Sequence, residues 1–313
     1  MHYRLPLRAP LDVALPRAAL LLMAVALASG CSIRTIAVKT VANTLSQPGD
    51  TFTRDDDPEL VRAALPFGLK TFESLLESVP RHKRLLIATC SGFTSYAYAF
   101  VETDADRLGS EDYEKAKELR DEALRLYLRA KGYCWRALEV RFKGISGRLK
   151  EDPAEALGRT RKDDVPLLYW SAASLGAAIA LGKGRTELLV DLPIVRAMAE
   201  RALALDEEWG KGSLHELMIT IESQGEALGG SEDRARGHFK RAVELQKGLS
   251  AGPYVSLATN VSRSKQDRDE FERLMGEALA IDPAADRSNQ LVTIITQRRA
   301  RSLLARIDDL FIN

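Results

Sequence analysis

This 313-residue sequence is poor in the residues that most enzymes and metal sites use. It has only three cysteines and four histidines, which predicts no metal site and no cofactor. It contains no glycine-rich phosphate loop, and His215-Glu216 lacks the second histidine that a zinc-protease helix requires. Acidic and basic residues nearly balance at a net charge of +1, whereas a nucleic-acid partner would need an excess of Lys and Arg. The sequence therefore predicts a protein that is not an enzyme and that binds no nucleic acid.

An apolar run near the N-terminus is too short to cross a membrane. Residues 18–30 fall short of the roughly 20 residues that a spanning helix needs. Arg4, Arg8 and Arg17 precede the run and small residues end it, a pattern typical of a signal peptide. The sequence LASGC at 27–31 resembles the lipobox of bacterial lipoproteins, in which the cysteine is acylated and becomes the first residue after cleavage. The alternative is an ordinary secretory signal followed by a coincidental Cys31.

Lipidation at Cys31 divides the chain into three parts. Residues 1–30 are the predicted lipoprotein signal peptide, 31–50 a lipidated tether, and 51–313 a single helical domain. Acyl chains such as palmitate hold a protein on the bilayer without making it span the bilayer. In bacterial lipoproteins an Asp after the cysteine often signals retention at the inner membrane, and Ser32 stands there instead. We therefore expect a periplasmic protein anchored in the inner leaflet of the outer membrane.

The two remaining cysteines leave two interpretations open. Cys90 and Cys134 both lie in apolar segments with helical periodicity. Each one can be a small buried hydrophobic residue. In an oxidising periplasm the two can also form a disulfide.

The long segments of the chain have an apolar period near 3.6 residues, which indicates helices, and none alternates as a strand would. Helix starts are marked by Asp57-Pro58-Glu59 and by serines after glycine, as at Ser231. The predicted helices are 58–78, 81–107, 111–131, 132–146, 165–182, 189–206, 212–227, 232–247, 251–260, 267–281 and 286–308. The loops between them are short, so that sequential helices are expected to be antiparallel.

Several of these helices carry the small-x3-large-x2-Ala pattern of tetratricopeptide repeats. The clearest copy is Ala235-x3-Phe239-x2-Ala242, and looser copies end at Ala123, Ala202 and Ala278. The spacing between copies is irregular. The predicted fold is therefore all-α, an α-solenoid of degenerate tetratricopeptide-like helix hairpins. Generic helical pairs without superhelical order are the alternative.

Aromatic side chains gather in two apolar segments, FTSYAYAFVE at 93–102 and LLYWSAASLGAAIAL at 167–181. Such side chains with few charges fit an apolar ligand pocket, although each one alone can simply be core. His215 and Glu222 share one helix face and can either orient a ligand head group or form a structural hydrogen bond. The candidate ligand-lining residues are Tyr96, Tyr98, Phe100, Tyr169, Trp170, His215 and Glu222. Four arginines lie near the end of the sequence, and we call them the tail arginines: Arg298, Arg299, Arg301 and Arg306. They predict either a solvated face or a contact with another subunit or a partner.

Six sequence blocks together resemble the T component of TRAP transporters, the TatT-like periplasmic lipoproteins. They follow one another in order between residues 45 and 311, behind the lipobox. The blocks are SGFTSYAYAFVETDADRL, VPLLYWSAASLGAAIAL, HELMITIES, GPYVSLATNV, EFERLMGEALAIDP and TQRRARSLLARIDDLF. The resemblance implies a helical body of cryptic tetratricopeptide-like repeats, a homotrimer, and a pore or groove through each protomer. It also implies association with the periplasmic substrate-binding P component and transfer of a hydrophobic ligand.

The sequence thus predicts a lipid-anchored accessory subunit of a TRAP-type solute uptake system. Its expected partners are the P component, the membrane through the N-terminal lipid, two further copies of itself, and a hydrophobic small molecule. The alternative is a scaffold lipoprotein whose repeat groove binds peptide segments of envelope-assembly proteins.

Overall fold

The structure is a computed structural model that describes residues 37–46, 51–109, 111–182 and 184–312. Within these ranges the regular secondary structure is helical and no strand is present, which confirms the all-α prediction. The predicted signal peptide and Cys31 lie outside the described residues. The helices are α1 (37–45), α2 (Pro58–Ser78), α3 (Lys83–Tyr96), α4 (Thr103–Leu108), α5 (Tyr113–Arg141), α6 (Ile145–Glu151), α7 (Pro153–Leu157), α8 (Val165–Leu181), α9 (Thr186–Leu189), α10 (Leu192–Leu205), α11 (Ser213–Glu222), α12 (Glu232–Leu245), α13 (Gly252–Leu257), α14 (Arg268–Ala280) and α15 (Gln290–Ala305).

Side-chain caps start helices where the sequence predicts them. The Asp57 carboxylate accepts hydrogen bonds from the backbone N–H groups of Glu59 and Leu60, and Pro58 occupies the first position of α2. Ser231 caps α12 in the same way. These starts depend on residues that are adjacent in sequence, and therefore local patterns predict them.

Helix α5 is continuous over Tyr113–Arg141, so that the predicted break after residue 131 is wrong. Gly132 lies inside the helix, although glycine there is about 1 kcal/mol less favourable than alanine. Ala130 and Cys134 on either side of it are fully buried. Packing of the flanking turns thus offsets the weak position. Two short helices that the sequence did not predict, α6 and α7, follow in the stretch between α5 and α8.

The predicted helix 81–107 forms, but a π-helical segment at Ala97–Glu102 interrupts it. A π-helical segment changes the angle between successive side chains, so residues after it leave the face that a 3.6 period assigns. Phe100 is 3% exposed in this segment, whereas Tyr98 is 39% exposed. Tyr98 and Phe100 are two positions apart, which already places them on opposite sides of a helix, so the interruption changes mainly the faces of the residues that follow it.

Two apolar clusters form most of the core. The larger joins α3, α5, α8 and α10, and the smaller joins α13, α14 and α15. The alanines of the repeat-like pattern are fully buried at these helix contacts, as their size predicts; they include Ala116, Ala123, Ala199, Ala202, Ala235, Ala242 and Ala278.

Cys90 on α3 and Cys134 on α5 form a disulfide inside the larger cluster. Both residues are fully buried, and their Cα atoms lie 5.5 Å apart. Of the two interpretations left open by the sequence, the structure supports pairing.

Helix α8 is the most apolar helix among the described residues. By length and composition Lys162–Leu181 could cross a membrane, but 56% of the apolar window is buried inside the protein. It packs against α3, α5 and α10. Asp164 at its start is fully buried and accepts hydrogen bonds from Lys83 and Arg141. Its apolar character therefore matches that of a core helix.

The helix contacts form a closed circuit. From α4 the chain of contacts passes through α5, α8, α10, α11, α13, α14 and α15, and α15 returns to contact α4 and α2. The last helix thus packs against the first part of the domain. Elements that are distant in sequence face one another across this circuit.

The segment before the helical domain also contacts it. In α1, Ala42 is fully buried and Val38 packs on the larger cluster, while Val41 and Leu45 are each 47% exposed. The Asn43 side chain lies 3.0 Å from the His82 ring nitrogen Nε2 at the start of α3. Residues 37–46 therefore lie against the body.

Candidate functional site

Four side chains from different parts of the circuit define what we call the central site: Tyr98, Tyr169, Glu216 and Arg299. Arg299 stacks on Tyr98, and Glu216 is near enough to Tyr98 and Tyr169 for its charge to affect both. Tyr98 comes from the π-helical segment, Tyr169 from α8, Glu216 from α11 and Arg299 from α15. Protein surrounds them closely enough that burial raises the pKa of Tyr98, Tyr169 and Glu216. Tyr98 nevertheless keeps 39% of its surface accessible. A side chain that protein surrounds, and whose surface is still accessible to solvent, is expected to border an internal cavity.

An ion-pair network joins Arg299 to the start of the domain. The Arg299 guanidinium lies 2.7 Å from the Asp106 carboxylate and 3.7 Å from that of Glu102. The same guanidinium lies over the Tyr98 ring, 5.1 Å from its centroid. The Tyr127 hydroxyl donates a hydrogen bond of 2.6 Å to Glu102. These contacts fix the orientation of Tyr98.

Glu216 is the one acid among the four residues of the central site. Burial raises its pKa to about 7, and the nearby side chain of Gln246 offsets only part of this rise. Among the described residues no salt bridge to Glu216 is present. Its carboxylate lies against the backbone of Gly252, where an added Cβ would come within 2.5 Å of a carboxylate oxygen. Near neutral pH this side chain can therefore exchange a proton or accept a hydrogen bond from a guest molecule.

Aromatic rings form the apolar wall of the central site. The Tyr169 ring packs against Trp170 at 5.0 Å and against Trp209 at 4.8 Å between centroids. Tyr169 and Trp170 are both half-buried. Ala173, one turn after Tyr169 on α8, is also half-buried, so that the surface beside the tyrosine is apolar and low in bulk.

Four of the seven predicted ligand-lining residues lie away from the central site, and Tyr96 and Phe100 are the first two. Tyr96 and Phe100 pack against each other at 5.6 Å in a small cluster with Val61. The Arg62 guanidinium covers the Phe100 ring at 5.0 Å. The structure therefore places this pair in the contact between α2 and the π-helical segment, apart from the central site.

Glu222 lines a second place, an open groove of about 770 Å³ between α10, α11 and α12. His215 lies beside this groove and contacts His238 of its wall. Glu222 is 2% exposed and receives hydrogen bonds from Arg196 at 2.7 Å and Arg234 at 2.9 Å. Burial alone would raise the pKa of Glu222. The hydrogen bonds and charges of the two arginines have the larger combined effect, and the pKa is lowered. Glu222 is thus a structural ion-pair centre in the wall of the groove.

His215 takes part in a separate hydrogen-bond chain beside the groove. Its Nδ1 lies 2.8 Å from Nδ1 of His238, and its Nε2 lies 3.1 Å from the Glu207 carboxylate. Burial lowers the pKa of both histidines. Hydrogen bonds from Arg241 lower the pKa of Glu207 to about 2, so this acid stays charged. Among the described residues no group of three or more potential ligands that could hold a metal is present.

The central site contains two residues that were not among the predicted ligand-lining set, Glu216 and Arg299. Glu216 is next to a candidate in sequence, but an isolated helix pattern gives no sign that it faces Tyr98 and Tyr169. Arg299 belongs to the tail arginines for which a solvated face was expected, and it is 15% exposed. Its burial follows from the contact of α15 with α4, which a local pattern does not contain.

Two comparisons with known proteins identify the family of this chain. An uncharacterized protein of Treponema pallidum (strain Nichols) is 28% identical to this chain over 306 residues, which cover 92% of this chain and 95% of that protein. Residues 54–311 match the family described as TRAP transporter T-component (TAtT). That span contains the central site and the groove. The chain therefore belongs to the TRAP transporter T-component family, a family of transport accessory proteins rather than enzymes, and membership implies association with components of a TRAP system.

Proposed function

We propose that this protein is the lipid-anchored T component of a TRAP-type uptake system and handles an apolar or amphipathic solute at the central site. Membership in the T-component family supports the role. We choose this site because of Tyr98: protein surrounds its side chain, yet 39% of its surface is accessible. Its neighbours offer an aromatic wall for an apolar body and a few polar groups for a head group.

The proposal includes the location and the anchor. Acylation at Cys31 would hold the body at the periplasmic face of the outer membrane, and the basic leader and small residues of 1–30 support export. The fold proposed for the body is a curved series of degenerate tetratricopeptide-like hairpins. Packing between sequence neighbours and the buried motif alanines support it.

Copurification tests the solute-handling role. The mature lipoprotein is purified from membranes, extracted, and its bound molecules are identified by mass spectrometry. We expect an apolar or amphipathic solute with the wild-type chain and loss of most of it with a Tyr98→Ala/Tyr169→Ala double variant. Tyr254→Ala, which changes a half-buried tyrosine of the other core cluster, is the matched control. Absence of any such solute from the wild-type chain would refute the role.

The proposed partner is the periplasmic substrate-binding P component. Coexpression of the mature chain with the P component of the same bacterium tests this directly. We expect the two to elute together in size-exclusion chromatography. Separate elution at concentrations well above those of the periplasm would contradict the partnership.

The groove between α10, α11 and α12 favours a second candidate function, the binding of an extended peptide segment of an envelope protein. Its wall combines apolar residues such as Leu203 and Met218 with charged ones such as Glu200 and Arg234. Such a mixture suits a peptide. Capture of envelope peptides that is lost with Met218→Glu and kept with Tyr98→Ala would favour this candidate over solute handling.

A further inference from the structure

A second concave surface, bordered by α5, α6 and the loop before α8, is lined mostly by cations. We call it the basic pocket, and its volume is about 780 Å³. No carboxylate is among its lining residues, which are Arg141, Phe142, Lys143, Arg148, Gly158, Arg159, Thr160 and Arg161. In a chain with a net charge of only +1, five cations around one pocket are a strong local excess. Their mutual repulsion favours an anion between them.

Most of these cations have no partner of their own. Among the described residues no salt bridge joins Lys143, Arg148, Arg159 or Arg161 to an acid. Arg141 differs because its guanidinium donates to the buried Asp164 carboxylate at 2.9 Å. Asp164 beside Arg141 and Glu139 near Arg148 offset part of the positive charge, and the charges of Lys143, Arg159 and Arg161 remain without an ion pair among the described residues.

The backbone that carries the cations is fixed. Arg201 on α10 donates hydrogen bonds to the carbonyl oxygen and the hydroxyl of Thr160, at 2.9 and 3.0 Å. The Glu139 carboxylate accepts hydrogen bonds from the N–H groups of Gly144 at 2.7 Å and Ser146 at 2.8 Å. Both loops that border the pocket are thus held by side chains. A pocket formed in advance loses less entropy when it binds an anion.

The basic pocket and the N-terminal segment belong to the same end of the body. Asn43 of α1 contacts His82, and the next residue, Lys83, forms an ion pair with Asp164 at 3.0 Å. Asp164 also binds Arg141 of the pocket. The chain from Cys31 to the start of α1 is six residues long and can span at most about 20 Å. A lipid at Cys31 would therefore bring this end close to the bilayer.

We propose that the basic pocket binds the phosphate of anionic phospholipid headgroups in the membrane that holds the anchor. Arginine guanidinium groups pair with phosphate oxygens in a bidentate manner. Val41 and Leu45, exposed on α1 at the same end, add apolar surface that can contact the bilayer. This inference rests on the proposed lipid anchor. It sets the orientation of the body on the membrane, and it does not depend on the solute.

The test uses the full mature chain with Cys31→Ser, so that no acyl chain contributes to binding. Sedimentation with vesicles of phosphatidylcholine is compared with sedimentation with vesicles that also contain phosphatidylglycerol. We expect binding to the second kind only, and weaker binding at high salt. Since each cation near an anionic surface contributes about fivefold, Arg159→Gln/Arg161→Gln should weaken binding about 25-fold.

The matched control removes two positive charges elsewhere. Lys240 and Arg263 are both exposed. Lys240 lies on α12, and Arg263 directly follows a second π-helical segment, Ala258–Ser262. Lys240→Gln/Arg263→Gln should keep most of the binding, and both double variants should unfold at the wild-type temperature. Equal weakening in the two double variants, or no binding to anionic vesicles by the wild-type chain, would overturn the proposal.

Two further outcomes point to another anion. If inorganic phosphate binds in calorimetry and anionic vesicles do not, the pocket is a site for a free anion, and the lipid proposal is wrong. If the vesicles fail and an acidic segment of the P component binds in a manner that needs Arg159 and Arg161, the pocket is a protein-docking site. Neither of these outcomes changes whether a solute or the P component copurifies with the chain. The lipid proposal can therefore fail while the proposed function stands.

Discussion

The Arg299 guanidinium lies 2.7 Å from the Asp106 carboxylate, and this contact joins the last helix to the first part of the domain. The two residues are 193 positions apart in the chain, and both are mostly buried, with 15% and 21% of their side chains exposed. Since Glu102 and Tyr98 contact the same guanidinium, one arginine connects closure of the helix circuit to the central site.

Loss of Arg299 should destabilise the fold much more than loss of its neighbour. Arg299→Gln leaves the carboxylates of Glu102 and Asp106 without their counter-ion, and removal of one partner of a largely buried ion pair costs about 3 kcal/mol. Arg298→Gln removes an exposed pair with Glu59 and should cost less than about 1 kcal/mol. Urea unfolding of both variants measures the difference. Equal losses would show that the network does not stabilise the closure.

The same pair of arginines shows where sequence is informative and where it is not. Caps such as Asp57 and the buried alanines of the repeat-like pattern were predictable, because a cap or a small residue acts on neighbours within a few positions. Burial of Arg299 was not, because it follows from packing of α15 on a helix near the start of the domain. A pattern within one helix gives the periodicity of its faces and does not identify what lies opposite.

The candidate aromatic residues illustrate a second limit. Tyr98 and Phe100 both belong to the predicted ligand-lining set, and they lie on opposite sides of their helix, with Phe100 in the core and Tyr98 accessible. A 3.6-residue period predicts these opposite faces but contains no sign of which one borders the central site. Continuity of α5 through Gly132 was missed for a related reason, since the packing that sustains it comes from other helices.

Reduction of the disulfide should lower stability. Cys90 and Cys134 close a loop with a sequence separation of 44, for which chain entropy predicts about 4 kcal/mol. We expect a reducing agent to lower the unfolding free energy of the wild-type chain by about 2–4 kcal/mol. The Cys90→Ala/Cys134→Ala variant should be insensitive to reductant, and Cys31→Ser should remain as sensitive as the wild type. A wild-type chain that unfolds identically with and without reductant would contradict the role of this bond.

The proposed trimer predicts an interface on α2. Leu60 and Phe67 are 59% and 79% exposed, and Ala63 and Ala64 are exposed between them, so that one helix face is apolar and uncovered within the protomer. Phe67→Asp is expected to convert the trimer into a monomer in analytical ultracentrifugation. Val190→Asp changes an equally exposed apolar residue, 76% accessible, and should leave the assembly intact. A wild-type chain that sediments as a monomer would refute the trimer, and one that stays trimeric with Phe67→Asp would exclude this face.

Stability should fall as pH rises through the range in which Glu216 loses its proton. Burial raises the pKa of Glu216 in the folded chain from 4.5 to about 7. Between these values the folded state binds more protons than the unfolded state, and therefore the unfolding free energy decreases with pH. The loss contributed by this one group is about 2–3 kcal/mol at about pH 8. Glu216→Gln should remove this part of the pH dependence.

Paired urea titrations of the wild type and Glu216→Gln measure the effect, because other titrating groups, including His215 and His238, are common to both proteins and cancel in the difference. The variant should be the more stable protein at about pH 8, and the two should converge near the unfolded pKa of 4.5. Glu208→Gln, on an exposed residue, should track the wild type at every pH. A difference between wild type and Glu216→Gln that stays constant with pH would mean that Glu216 is already ionised in the folded chain. The central site would then carry a negative charge at neutral pH. In that case we would expect it to prefer a ligand with a cationic head group over one with a neutral hydrogen-bond donor.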